Sequence, residues 1–227
     1  MVFCNDNLTP IMGSGSLPAD KMASFLYSGN DKKGLNPIDK DYALSFVEAT
    51  IRLSNLEGVN YDIAFALMIH ETGYLNFGGD VSPSQNNFGG LGATGGGSKG
   101  ASFPDMETGI LAVIQHLKCY GSDEPLVTEL IDPRWQEKLR GKAVYAQWLG
   151  YADNPNGTGW ANPGKGYGDR LIAVVEKVSG YEYVVLGEKD GDRKAAGGVL
   201  VGLLVFFGGV VVMWVKSSLF RRESSRF

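Results

Sequence analysis

The chain has 227 residues, of which 44% are hydrophobic and 20% charged, and its formal net charge is −4. This composition excludes a disordered chain and a protein that lies wholly within a membrane. Two cysteines and two histidines are too few for a disulfide framework or a structural zinc site. A net acidic chain without a concentrated basic face also argues against nucleic acid as a partner.

The predicted elements are mostly helices. Residues 1–38 form an N-terminal extension that lacks the basic and apolar regions of a secretory signal peptide. Residues 39–56 have apolar side chains near helical spacing, and residues 62–71 (DIAFALMIHE) are apolar nearly all round, which is typical of a helix through the centre of a domain. Residues 106–120 and 167–178 predict two further helices.

The C-terminal part predicts a membrane anchor. Residues 195–215 contain no charged side chain and as a helix would span roughly 31 Å, the thickness of a bilayer's hydrocarbon core. They predict one C-terminal transmembrane helix, with residues 181–194 as a tether and residues 216–227 as a basic tail. Gly198 and Gly202 form a GxxxG pattern that would let a partner helix approach closely. Basic residues on both sides of the span leave its orientation open.

Glu71 ends the apolar helix, directly before a Thr-Gly pair. Desolvation disfavours the charged form of a carboxyl group at the end of a buried helix, so this group can stay protonated near neutral pH and act as a general acid. A glutamate that simply faces water is the alternative, and spacing does not decide between them. His70 and Glu71 begin the HExxH pattern of zinc proteases, but Tyr74 stands at its last position.

The segment 89–100 is rich in glycine and predicts a loop or loose hairpin that lets a ligand approach the backbone. It lacks the Gly-Lys-Ser/Thr end of a P-loop, and no strand precedes it as a dinucleotide-binding turn requires. We therefore expect neither a metal nor a cofactor.

Four blocks of sequence are informative together: HETGYLNFGGDVSPSQNNFGGLGATGG, ASFPDMETGILAVIQHLKCYG, IDPRW and GWANPGKGYGDRLIAVVEKV. In this order they resemble the bacterial glucosaminidase domain, glycoside hydrolase family 73, over residues 39–180. The resemblance implies a mainly α, lysozyme-like α+β fold, in which a helical bundle surrounds a substrate cleft and carries a small β lobe. It also implies cleavage of the β-1,4 bond after N-acetylglucosamine in the peptidoglycan glycan strand.

The resemblance also implies roles for individual residues. Glu71 takes the place of the general acid, and Tyr167 matches an aromatic residue near the reaction centre. Four consecutive residues would form the turn that walls the cleft: Asn86, Asn87, Phe88 and Gly89. Asparagine tolerates tight turns, so a purely structural role is equally compatible with the first two. Tyr120 and Trp160 are candidates for stacking on sugar rings.

A second catalytic group is harder to place, because two-carboxylate glycosidases need a base or nucleophile opposite the acid. The segment 89–103 contains no acid, and the nearest candidates are Asp80, Asp105 and Glu107. The last two also suit the start of the following helix, where acids favour the dipole. The alternative nucleophile is the 2-acetamido group of the substrate itself. The sequence slightly favours this alternative, because it places only one carboxylate clearly.

The sequence thus predicts a membrane-anchored endo-β-N-acetylglucosaminidase that hydrolyses peptidoglycan by general acid catalysis. Muramidase or lytic transglycosylase specificity on the same fold, and a non-catalytic peptidoglycan-binding membrane protein, are the alternatives. Two locations fit a single-pass anchor. One is the virion membrane of a lipid-containing bacteriophage, where the protein would be a lysin for host-wall penetration. The other is the bacterial cell envelope, with the domain facing the wall.

Overall fold

Five α-helices form most of the regular structure in the computed structural model, which describes residues 8–93, 96–97 and 99–182. In chain order they are α1 (Ala19–Lys33), α2 (Lys40–Glu57), α3 (Tyr61–Thr72), α4 (Met106–Gly121) and α5 (Tyr167–Ser179). Three short 3₁₀ turns complete the described elements: Pro83–Gln85, Glu137–Leu139 and Ala146–Leu149. The chain divides into two units, Met1–Glu188 and Lys189–Phe227, and every described residue lies in the first.

The predicted helices are confirmed within one residue at each end as α2, α3, α4 and α5. Helix α3 is the central one: nine of its twelve residues are buried, as its uniformly apolar sequence predicts. It packs against α2, α4 and α5, while α2 also packs against α1 and α4. The mainly α class is therefore confirmed, with the core formed where these helices meet.

Helix α1 has no counterpart among the elements predicted from the sequence. It packs against α2 and α5 and buries Met22 and Leu26 completely in the common core. The segment before it is fastened to α3, because the buried Asp62 carboxylate accepts hydrogen bonds from the backbone N–H groups of Ser16 (2.8 Å) and Leu17 (3.1 Å). The described part of the N-terminal extension thus belongs to the helical core.

The described part of residues 73–105 contains a 3₁₀ turn, bends and turns but no strand, so it does not show the small β lobe that the resemblance implied. The backbone explains this result. Tyr74, Leu75, Phe77 and Asn86 all have positive φ, between 50° and 63°. Strand residues have φ between about −60° and −160°, so these left-handed residues interrupt any ladder in the part of the segment where they lie. The described residues pair only through isolated bridges elsewhere, such as Pro10 with Tyr145.

The predicted transmembrane helix 195–215, with Gly198 and Gly202, lies outside the described residues, as do the basic tail and all but the first two residues of the tether. None of the helices in the described ranges has the length and apolar character needed to cross a membrane.

Candidate active site

Glu71 lines a pocket of ≈ 330 Å³. Glu71 occupies the last turn of α3, where the helix ends at Gly73 in the left-handed conformation. The pocket continues along the loop that follows, since Phe77, Asp80 and Val81 line it. Asn87 and Gly90 line the other side. The end of the central helix and two loops therefore converge on one carboxyl group.

Tyr167, the first residue of α5, lies directly against Glu71. Its hydroxyl group donates a hydrogen bond to Oε1 of Glu71. The Tyr167 ring is buried and meets the ring of His70 edge-on at 5.6 Å between centroids. The Arg170 guanidinium lies 5.8 Å from the centre of the same ring. The contact between α3 and α5 thus joins two predicted site residues that are 96 positions apart.

Two opposing effects act on the Glu71 carboxyl. The side chain is reachable by solvent from the pocket, but protein atoms crowd it on its other sides, and this desolvation raises its pKa above the usual value. The hydrogen bond from Tyr167 acts in the opposite direction because it favours the carboxylate. Desolvation is the larger effect, so the carboxyl group holds its proton to a higher pH than an ordinary glutamate.

Tyr167 and His70, the two neighbours of Glu71, are both neutral near pH 7. Burial, together with the adjacent Glu71 carboxylate, raises the pKa of Tyr167 well above its usual value. Burial and the charge of Arg170 lower the pKa of His70. Neither group therefore adds a formal charge beside Glu71 at neutral pH.

The three candidate second carboxylates have different surroundings. Asp80 lines the same pocket as Glu71, and its Oδ1 accepts a hydrogen bond from the backbone N–H of Gly97 at 3.2 Å. Asp105 is the N-cap of α4 and accepts from the backbone N–H of Thr108 at 2.8 Å. That bond holds its pKa below the usual value.

Glu107 is also occupied elsewhere, since it forms an exposed ion pair with Arg52 at 2.6 Å. The structure therefore leaves Asp80 as the one sequence candidate that faces the Glu71 pocket.

The asparagines before the glycine-rich segment hold the chain that follows it in place. Asn87 donates through Nδ2 to the carbonyl groups of Leu91 (2.9 Å) and Ala101 (3.0 Å), and its Oδ1 accepts from the Leu91 N–H. Asn86 donates to the carbonyl group of Phe103 at 3.1 Å. Both side chains are thus engaged in shaping the loop, and Asn87 in addition lines the Glu71 pocket.

The other predicted residues of the cleft wall lie deeper. Phe88 is 1% exposed and packs edge-on against Phe46 in the core. Gly89 is buried so tightly that an added Cβ would come within 2.9 Å of the Trp160 ring. The backbone then turns at Gly90 with φ +64°, and the position of a Cβ there would be 4.0 Å from Oε2 of Glu71. The glycine pair thus brings bare backbone next to the carboxyl group.

The two candidate sugar platforms differ in exposure. Tyr120 is 5% exposed, and its hydroxyl group donates to the carbonyl oxygen of Gly159 at 2.8 Å. Trp160 is only partly buried and meets the His116 ring edge-on at 4.9 Å. Neither residue lines the Glu71 pocket. Trp160 therefore retains an accessible surface beyond Gly89, whereas the Tyr120 ring is part of the packing.

A buried asparagine pair that the sequence analysis missed supports the turn after Glu71. Tyr74 and Leu75 have φ of 63° and 59°, a conformation that costs on the order of 1 kcal/mol or more for each non-glycine residue. Asn76 donates to the carbonyl groups of Gly73 and Asn30, both at 3.2 Å. Asn30, from α1, donates to the carbonyl group of Tyr74 at 2.9 Å. The asparagines before and after α3 in the sequence were the signal that could have indicated this pair.

No group of three or more histidine, cysteine, aspartate or glutamate side chains with the arrangement of a metal site occurs within the described ranges. His70 and Glu71 both line the pocket, and Asp80 is the other acid in its lining. The arrangement suits proton transfer to a bound ligand, since desolvation raises the pKa of the Glu71 carboxyl and a second acid, Asp80, lines the same pocket.

Two comparisons with known proteins bear on this site. Residues 47–180 match the family model Glucosaminidase, described as mannosyl-glycoprotein endo-beta-N-acetylglucosaminidase. The match contains Glu71, Asp80 and Tyr167 and more than half of the chain. An uncharacterized protein of Borreliella burgdorferi (strain ATCC 35210) is 46% identical over 110 residues, which are 48% of this chain and 54% of that protein. The similarity thus spans about half the length of this relative. No solved structure matches the chain.

Proposed function

Because the chain belongs to the glucosaminidase family, we propose that it is a glycoside hydrolase that cleaves the glycan strand of peptidoglycan, with Glu71 as the general acid. The observation that carries this proposal is the hydrogen bond from Tyr167 to Glu71, a residue that lines a pocket. A carboxyl group whose pKa is raised by desolvation is suited to hold a proton until the glycosidic oxygen takes it.

The proposed mechanism assigns Tyr167 a positioning role. The protonated Glu71 carboxyl donates its proton to the glycosidic oxygen as the bond to the anomeric carbon breaks. Glu71 becomes a carboxylate at that moment, and the hydroxyl group of Tyr167 already donates a hydrogen bond to it. Tyr167 thereby stabilises the product of the proton transfer and keeps the carboxyl group in one orientation.

We further propose Asp80 as the second catalytic group, since it faces the same pocket and the other two acids are engaged at α4. As a carboxylate it would accept a proton from the water that attacks the anomeric carbon, or would attack that carbon itself. The competing route uses the 2-acetamido group of the substrate as the nucleophile. It requires an N-acetyl group on the sugar but no second carboxylate.

The decisive experiment measures the release of reducing ends from purified peptidoglycan. Glu71→Gln keeps the size of the side chain but has no acid proton, so turnover falls at least ~100-fold while the thermal melt is unchanged. Glu107→Gln is the matched control, because this exposed acid binds Arg52 away from the pocket, and it keeps the wild-type rate. Near-normal hydrolysis by Glu71→Gln would contradict the proposal.

The same assay tests the second group. Asp80→Asn lowers turnover by roughly 100-fold or more if Asp80 is the base or nucleophile. A nearly unchanged rate in Asp80→Asn, together with the loss in Glu71→Gln, would assign the attack to the acetamido group instead.

The bond specificity that we propose is that of an endo-β-N-acetylglucosaminidase. Borohydride reduction of the released fragments followed by mass spectrometry identifies the sugar at the new end. Reduced N-acetylglucosamine is expected. Reduced N-acetylmuramic acid would show a muramidase, and a 1,6-anhydro end would show a lytic transglycosylase. Binding to peptidoglycan without any new end would support the non-catalytic alternative.

We also propose that residues 195–215 anchor the domain in a lipid bilayer, which their uncharged and apolar sequence supports. The GxxxG pair Gly198 and Gly202 would then be the place where a second helix approaches. The bilayer is that of a lipid-containing virion or of a bacterial envelope. Fractionation distinguishes the two, since purified virions that carry the protein and digest peptidoglycan in a gel would support the virion. Recovery only from the envelope of uninfected cells would exclude it.

A further inference from the structure

A second pocket, of ≈ 410 Å³, adjoins the one that holds Glu71. The two pockets have His70 and Gly73 in common, so the last turn of α3 forms the wall between them. The remaining lining comes from four places: the end of α1, the last turns of α3, the turn after α3 and one face of α5. These residues are Lys33, Ile69, Tyr74, Arg170, Ala173, Val174 and Lys177.

Three cations and no acid line this pocket. Arg170, Val174 and Lys177 follow one another at the spacing of one face of α5, and Lys33 reaches the same space from α1. The acids of α5 that neighbour these cations in sequence, Asp169 and Glu176, are outside the lining. The chain as a whole has a net charge of −4, so composition does not account for this concentration of positive charge.

These three cations have no acidic partner within the part of the chain that the structure describes. Lys33 places its ammonium group 5.9 Å from the centre of the Tyr74 ring. Arg170 donates through Nη1 to the carbonyl oxygen of Lys165 at 2.9 Å, which fixes its guanidinium group at the rim. Positive charge at a concave surface attracts an anionic group of the substrate.

The pocket also has apolar lining. Ile69, Ala173 and Val174 contribute aliphatic side chains, and Tyr74 contributes an aromatic ring. A small hydrated anion gains nothing from these groups. A peptide that has both methyl or methylene groups and carboxylates contacts the apolar side chains with the former and the cations with the latter.

We propose that this pocket, which we call the basic pocket, binds the stem peptide that peptidoglycan carries on its muramic acid residues. The inference rests on the proposed function. A glycan strand at Glu71 has a peptide on every second sugar, and those peptides hold free carboxylates. Since His70 and Gly73 line both pockets, a substituent of the bound strand reaches the basic pocket directly. Lys33, Arg170 and Lys177 thus make the enzyme prefer strands that still carry their peptides.

The test compares two soluble substrates: un-cross-linked glycan strands that carry stem peptides, and the same strands after an amidase has removed the peptides. The variant is Lys33→Gln/Lys177→Gln, which removes two rim charges and leaves Arg170, the neighbour of Tyr167, in place. The control is Lys32→Gln/Lys138→Gln, which removes two exposed charges outside the basic pocket.

For peptide-bearing strands, KM of the variant rises by about fivefold, as expected for the loss of two solvent-accessible ion pairs, and kcat is unchanged. For stripped strands KM is the same as that of wild type. The control variant matches wild type on both substrates. The rise in KM is smaller at high salt, because exposed ion pairs are screened.

Each other outcome contradicts the inference in a distinct way. An equal rise in KM on both substrates would mean that the cations bind the glycan itself. If soluble polyglycerol phosphate inhibits wild type but not the variant, and KM does not depend on the peptides, the basic pocket binds phosphate polymers instead. Unchanged kinetics of the lysine variant, with hydrolysis abolished in Glu71→Gln, would overturn the basic pocket alone. If wild type cleaves neither substrate, the proposed function falls and the inference with it.

Discussion

Removal of the Tyr167 hydroxyl group by Tyr167→Phe tests the proposed link between α3 and α5. The substitution keeps the buried ring and its edge contact with His70 but eliminates the hydrogen bond to Oε1 of Glu71. That bond favours the carboxylate and lowers the pKa of Glu71, in opposition to the larger effect of desolvation. Its loss therefore raises the pKa further, and the general acid remains protonated to a higher pH.

The magnitude follows from the hydrogen bond. A bond to a charged group contributes about 1.5–3 kcal/mol, which sets an upper bound on how far its loss changes the proton affinity of Glu71. Water from the pocket reaches Glu71 and replaces part of the lost interaction, so the pKa rises by less than the whole bond would give. The rate on the plateau falls roughly tenfold, because the carboxyl group is no longer held in one orientation.

The assay is the pH dependence of kcat/KM on soluble glycan strands, whose basic limb reports the pKa of the general acid in the free enzyme. Tyr120→Phe is the matched control, because it also removes a hydroxyl group from a buried ring. That group donates to the carbonyl oxygen of Gly159, far along the chain from Glu71, so the basic limb stays in place. A basic limb that does not move in Tyr167→Phe, or that moves to lower pH, would refute the reasoning.

Three further predictions concern the core and the chemistry. Lys118→Met removes the cation that lies 2.9 Å from the buried Glu57 carboxylate, and we expect the free energy of unfolding, measured in urea, to fall by about 3 kcal/mol. Arg52→Met breaks an exposed ion pair and is the control, with an expected loss below about 1 kcal/mol. Gly109→Ala places a methyl group against the carbonyl group of Asn86, so the free energy of unfolding in urea falls by about 1–3 kcal/mol. An unchanged urea melt would contradict the tight packing of α4 on that turn. Extensive EDTA treatment leaves the hydrolysis rate unchanged, and activity restored by an added metal would disprove the metal-free mechanism.

The sequence by itself determined helices α2 to α5 and the position of Glu71. Helix α3 is apolar on all sides, and α4 has a clear apolar stripe, so short-range geometry and burial predict both with little help from the rest of the chain. The same periodicity places Glu71 in the last turn of the central helix. Such features depend on residues three or four positions apart, and a single sequence therefore predicts them.

The sequence was misleading where the backbone has left-handed residues. A glycine-rich segment next to predicted turns is compatible with a hairpin, and the small β lobe was expected there. Tyr74 and Leu75 have positive φ, which their side chains disfavour and local patterns do not reveal. Buried Asn76 and Asn30 hold this turn through hydrogen bonds that span more than forty residues. Helix α1, which provides Asn30, was also missed.

Only the tertiary structure decided which side chains share the site. Among the three acids that the sequence proposed, the caps and ion pairs at the start of α4 engage two and leave Asp80 facing Glu71. The hydroxyl group of Tyr167 meets Glu71 because α5 packs against α3. The rim of the basic pocket joins α1 to α5 in the same way. These contacts depend on how helices far apart in sequence pack, and that packing follows from the whole buried surface rather than from any local pattern.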